Sequence, residues 1–131
     1  MTNWLAPQTL FAVLKLLAVV HLAALAAQPV LFGQHFSGNP DALGLHGTVG
    51  ETIAWLALGQ ALLGILGWRR AALRLPVLLA LVAIFALEGL QLHLGYTRLV
   101  TVHIPLGTAL LAISLVVTLW LWRGASAQPA R

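Results

Sequence analysis

The chain has 131 residues, of which 60% are hydrophobic and only 8% charged, against about 25% charge in a soluble domain. So few ionic side chains cannot coat a water-soluble globule of this length, but they can cap the ends of membrane helices. The lack of cysteine excludes disulfides, thiolate zinc sites, iron–sulfur clusters and covalently attached c-type haem.

Seven basic residues against three acids give a formal charge of +4. The bases sit at the ends of apolar runs and form no basic stretch. They read as topology signals, and no nucleic-acid partner is expected.

A membrane span needs about 20 apolar residues, and the length allows one domain. Residues 1–8 form a short N-terminal segment. The first span covers residues 9–32. Lys15, the apolar run and Ala24-Leu25-Ala26 have the outline of a signal peptide with a cleavage site, but the apolar stretch continues past that point, so the segment is read as a retained span. A polar stretch, residues 33–39, follows. Asn39-Pro40-Asp41 is a helix start: a capping side chain, proline at the first helical position and an acid in the first turn. The second span covers residues 42–68 and ends at Arg69, Arg70 and Arg74. The third, residues 75–94, opens at Pro76 and closes at Gly95. Tyr96-Thr97-Arg98 is a tight connection to the fourth span, residues 99–122. Residues 123–131 are a small, polar tail. These elements predict an all-α, integral-membrane four-helix up-down bundle over residues 9–122.

The positive-inside rule orients it. Arg69, Arg70, Arg74, Arg123 and Arg131 share one side, and Arg98 stands alone on the other. Both termini and the middle loop are therefore expected in the cytoplasm, with the protein multi-pass in the inner (plasma) membrane. Lys15 lies in the inner half of the first span and can snorkel inward. Trp4, Trp68, Trp120 and Trp122 fall at the inner interface.

Ionisable groups inside a span are expensive and mark function. His21, His46, His93 and His103 supply one histidine per span, and all but His21 lie near the outer face. Two share a pattern: His46-Gly47-Thr48-Val49-Gly50 and His103-Ile104-Pro105-Leu106-Gly107 both read His-x-x-x-Gly. Residues four apart share a helix face, so each histidine has bare backbone one turn deeper. A flat macrocycle needs such clearance beside its ligand, and imidazole ligates haem iron. Small residues at this spacing are also how membrane helices ordinarily pack.

In an up-down bundle the second and fourth helices are diagonal neighbours, which sets His46 opposite His103 at similar depth. The other diagonal would pair His21 with His93, whose depths are mismatched. Glu51 and Glu88 are off the histidine faces and are expected to face the bundle interior. The Glu-x-x-His spacing of di-metal bundles is absent. His35 is expected to be solvated in the outer loop.

On His46, Gly50, His103 and Gly107, and more loosely Gln28, the chain looks like small bacterial four-helix membrane proteins of unknown function. In organisation it resembles four-helix membrane b-type cytochromes. That resemblance implies histidines on facing helices holding non-covalent haem b. The chain departs from two-haem cytochromes in having no histidine pair at its inner side, which argues against electron transfer across two haems.

The expectation is one haem near the outer face, with His46 and His103 as axial (metal) ligands. Gly50 and Gly107 would clear space, Arg98 would pair with a propionate, and quinol or a periplasmic protein would be the redox partner. His21 and His93 are the reserve pair. No nucleophile–base constellation suggests stand-alone catalysis. The rival readings are a non-catalytic accessory or ligand-binding protein, and a proton-coupled transporter subunit using Glu51, Glu88 and His21. A homo-oligomer is left open.

Overall fold

The computed structural model describes residues 6–124. It contains four helices: α1 (Pro7–Phe36), α2 (Asp41–Arg69), α3 (Leu75–Tyr96) and α4 (Val100–Trp122). Each is long and apolar enough to cross a membrane. Successive helices pack on each other and α4 closes on α1, while neither diagonal pair packs directly. This is the all-α, up-down, multi-pass bundle expected from the hydropathy pattern.

The helices extend slightly past the apolar runs because every connection is a Schellman turn, which satisfies the last carbonyls of the helix before it. After α1, the Asn39 amide bonds the Gln34 carbonyl and the Gly38 amide bonds that of His35. The pairs Ala72→Gly67 with Ala71→Trp68, and Leu99→Leu94 with Arg98→Gly95, repeat the motif after α2 and α3. The left-handed position falls to Gly38 in the first turn, but to Ala71 (φ 53°) and Arg98 (φ 58°) in the others. At the start of α2, the Asn39 side chain accepts the Asp41 amide at 3.2 Å, the capping role read from its sequence. His35 belongs to the last turn of α1 and packs its ring on Phe36. It is therefore part of the helix and half-buried, where a solvated loop position was expected.

Leu14, Ala18, Ala57, Leu81, Ile84, Leu110, Val117 and Leu121 fill the centre. Small residues let α2 approach closely: a methyl group added at Gly64 would lie 2.9 Å from a Leu81 methyl. The outer surface exposes Leu16, Val20, Trp55, Leu62, Leu79 and Leu115 among many apolar side chains, as lipid contact requires. At the end bearing Arg69, Arg70, Arg74 and Arg123, the Lys15 ammonium lies 5.4 Å from the Trp122 ring centre, a cation–π contact.

Candidate functional site

Polar side chains inside the bundle form two layers. The outer layer consists of two matching helix pairs. On α1 and α2, the Gln28 amide donates to the His46 carbonyl at 3.3 Å, and His46 Nδ1 lies 3.3 Å from the Gln28 carbonyl. On α3 and α4, the Gln91 amide donates to the His103 carbonyl at 2.9 Å, and His103 Nδ1 lies 3.0 Å from the Gln91 carbonyl. Each hairpin thus contributes one glutamine and one histidine that bind each other's backbone.

A carbonyl oxygen can only accept, so Nδ1 carries the proton on both rings. Nε2 is left as the unprotonated nitrogen in each neutral histidine. At His103 the Gln91 amide nitrogen also approaches Nε2, at 3.4 Å. The two rings meet across the α2–α4 diagonal with centres 6.1 Å apart and planes at 61°. Phe32 flanks His46 at 5.7 Å. Both histidines are half-buried.

The glycines of the two His-x-x-x-Gly segments stand beside the glutamines. A methyl group at Gly107 would lie 2.8 Å from the Gln91 amide nitrogen; one at Gly50 would lie 3.5 Å from Leu92 and 4.0 Å from the Gln28 amide nitrogen. Gly95 backs the other side of His103, with the ring 3.1 Å from where its methyl would be. The bare backbone one turn below each histidine therefore admits a glutamine side chain from the adjacent helix.

The inner layer is buried and asymmetric. His21, Gln60 and Glu88 are each no more than 3% exposed. Gln60 Nε2 lies 2.7 Å from His21 Nδ1 and also reaches the Leu56 carbonyl. That carbonyl fixes the amide nitrogen as the donor, so His21 Nδ1 accepts and its ring proton sits on Nε2. Nε2 then faces Glu88 Oε1 at 3.5 Å across the α1–α3 diagonal. Neither of these two atoms has a hydrogen-bond partner among the described residues. His21 and the outer pair are thus opposite tautomers.

The remaining candidates are not gathered into either layer. His93 is exposed and does not meet His21, whose diagonal partner is Glu88. Arg98 is exposed in the α3–α4 turn. Glu88 faces the interior as expected, but Glu51 does not. It lies on the exposed surface of α2 and accepts a hydrogen bond from the Tyr96 hydroxyl at the end of α3, because its position on the helix points away from the histidine face. Among the described residues no group of three or more His, Asp or Glu could hold a metal ion.

Sequence reasoning passed over Gln60 and Gln91. The signal was present: an amide inside an apolar span is as much in need of a partner as a histidine. α1, α2 and α3 each carry one such residue, in Gln28, Gln60 and Gln91.

The fold and these two layers define a multi-pass four-helix membrane protein with a diagonal histidine pair toward the end opposite Arg69, Arg70, Arg74 and Arg123. No family model matches the chain, and neither does any curated protein or solved structure.

Proposed function

We propose that the protein binds one b-type haem near the outer face of the inner (plasma) membrane and carries electrons, with His46 and His103 as axial ligands. The observation that supports this best is the diagonal pair itself. Two iron–imidazole bonds of about 2 Å, with about 1 Å from each nitrogen to its ring centre, set ligand ring centres about 6 Å apart. The two rings already stand 6.1 Å apart. The Nδ1–H to carbonyl bonds also match a ligating histidine, whose second nitrogen is ordinarily anchored to fix the tautomer.

The nitrogen donors fit the group, but the clearance expected beside Gly107 and Gly50 is taken by Gln91 and Leu92, which would have to swing aside for the macrocycle. The Gln91 amide, 3.4 Å from His103 Nε2, would give up that longer contact and keep its bond to the His103 carbonyl. Iron would supply one-electron chemistry. Gln28 and Gln91 would hold the ligands' orientation, Phe32 would shield His46, and Arg98 in the outer turn would face a propionate. Half-buried rings close to one end suit exchange with quinol or a periplasmic protein.

The test is a reduced-minus-oxidised spectrum of protein purified from haem-supplemented cells. Sharp low-spin bands are expected, lost in His46→Ala and in His103→Ala and kept in His35→Ala and His93→Ala. A colourless wild-type protein would defeat the reading.

A second reading, a proton-coupled transporter subunit, draws on the buried His21–Glu88 contact. Glu51, exposed and bonded to Tyr96, would take no part in it. Loss of a pH-coupled uptake in Glu88→Gln, with no haem bands in the wild type, would favour it.

A further inference from the structure

We infer that the inner layer binds one water molecule in the middle of the bundle, held jointly by His21, Glu88 and Ser114. The site is separate from the outer histidine pair and does not depend on haem. Three buried atoms on three helices carry it. Among the described residues, His21 Nε2 on α1, Glu88 Oε1 on α3 and Ser114 Oγ on α4 have no hydrogen-bond partner. Their residues are 2%, 3% and 4% exposed. A polar atom orphaned in an apolar interior lowers stability, and three at one level ask for a shared partner.

The level of Ser114 follows from its neighbour. Thr118 Oγ1 reaches the Ala18 carbonyl at 3.5 Å, and α1 and α4 are antiparallel and packed together. His21 lies one turn beyond Ala18 on α1. Ser114 lies one turn before Thr118 on α4, and residues three or four apart share a face. Ser114 therefore stands level with His21. Its hydroxyl also behaves unlike the others in the spans. Thr48, Thr52, Thr108 and Thr118 each donate to the carbonyl four residues back, the ordinary outlet for a hydroxyl in a helix. Ser114 makes no such bond, so its hydroxyl stays available to the layer.

The chemistry of the three atoms selects the guest. His21 Nε2 carries the ring proton, because Nδ1 accepts from Gln60, so it donates. Glu88 Oε1 offers lone pairs, and a serine hydroxyl does either. A metal ion would be turned away by the N–H, and an anion by the lone pairs of Oε1. Water accepts from His21 and donates to Glu88 at once, with Ser114 as the third bond; about three bonds is usual for a buried water. The 3.5 Å between Nε2 and Oε1 lets one water lie within hydrogen-bond distance of both. Size points the same way. Leu14 and Ile84 on the inner side and Leu110 on the outer side share these helix faces and are buried, so the polar space is short. The water gives the Glu88 carboxyl a protic neighbour with which to exchange a proton inside the bilayer.

The test is NMR of the full chain in detergent micelles, with histidine labelled in carbon-13 and nitrogen-15. A reductant keeps any bound iron ferrous, so the readout is the same whether or not the outer pair carries haem. Cross-relaxation from water is read at the carbon-bound Hδ2 and Hε1 of His21, which flank Nε2 and do not exchange; their loss in His21→Gln assigns them. A water cross-peak is expected at both, with the nitrogen shifts of an Nε2–H tautomer. Ser114→Ala removes one bond and leaves the room, so a weakened cross-peak should remain. Ser114→Val fills the room with methyl groups and should abolish it, as should Glu88→Leu, which removes the acceptor. Unchanged shifts of the other histidines show that each variant is folded. A dry His21 ring in the wild type would overturn the site, as would an Nδ1–H tautomer or a cross-peak that survives in both Ser114→Val and Glu88→Leu. Complete loss in Ser114→Ala would trace the signal to the serine hydroxyl itself and would overturn it too.

Discussion

Each outer histidine is held by two hydrogen bonds to a single glutamine of the neighbouring helix, in a medium where no water is at hand to replace a lost partner. The glycine one turn on is what lets that glutamine approach, and the two halves differ in how tightly it does so. At Gly107 an added methyl would lie 2.8 Å from the Gln91 amide nitrogen, whereas at Gly50 the nearest atom is a Leu92 methyl at 3.5 Å. Gly107→Ala should therefore push Gln91 off the His103 carbonyl and destabilise the fold by about 1 kcal/mol, the upper part of the range for a hydrogen bond within a membrane bundle. Gly50→Ala should be nearly neutral. Unfolding of both variants in mixed detergent and SDS measures the difference, and equal losses would refute the glutamine contact as the reason for the glycine. This half of the site was legible as a His-x-x-x-Gly repeat placing His46 and His103 at matching positions. That each histidine pairs with a glutamine was not, because Gln28 precedes His46 by 18 residues while Gln91 precedes His103 by 12. The helix ends and turn between the members of each pair differ in length, so no fixed spacing marks them.

The helices themselves were readable because membrane spans announce themselves by apolar length, and each observed helix contains its expected span to within a residue. The ends were less so. Residues 33–35 are polar or small yet helical, since the turn that follows satisfies the Gln34 and His35 carbonyls; hydropathy is blind to such backbone partners. The same turn geometry makes a prediction. Gly38 takes the left-handed position without strain, but Ala71 and Arg98 carry a side chain there, which costs about 1–2 kcal/mol against glycine's freedom. Ala71→Gly and Arg98→Gly should each raise stability, by somewhat under 1 kcal/mol after glycine's own entropy cost, and so raise the thermal midpoint in detergent. Arg98→Gly carries a second readout. If Arg98 faces a haem propionate, the variant should gain stability and yet hold haem less tightly, an opposition of signs that a purely structural arginine would not produce.

At the scale of the whole bundle, charge and diagonal contacts specify the arrangement. Arg69, Arg70, Arg74 and Arg123 fall at one end and Arg98 at the other, so the positive-inside rule predicts that the Ser37–Gly38 turn lies outside the cell. A reporter inserted there should read as external and one fused after Arg131 as cytoplasmic; the reverse would carry the histidine layer to the inner face. The helices on each diagonal do not pack directly on each other, and polar side chains meet across both: His46 with His103, and His21 with Glu88. The second contact can be tested by a double-mutant cycle. With Glu88 replaced by leucine, the Nε2–H of His21, 2% exposed, loses the carboxyl 3.5 Å away and faces hydrocarbon. With His21 replaced, a buried carboxyl is abandoned instead. Each single change should cost about 3 kcal/mol, as when one member of a buried pair is removed. Replacing both removes the stranded groups together and leaves Gln60 its bond to the Leu56 carbonyl, so the double variant should lose well under the sum of the two single losses. Strict additivity in SDS unfolding would mean that His21 and Glu88 do not interact across the bundle. A double variant that keeps full stability would mean that the pair contributes nothing to the fold, and that its place in the membrane interior answers to function alone.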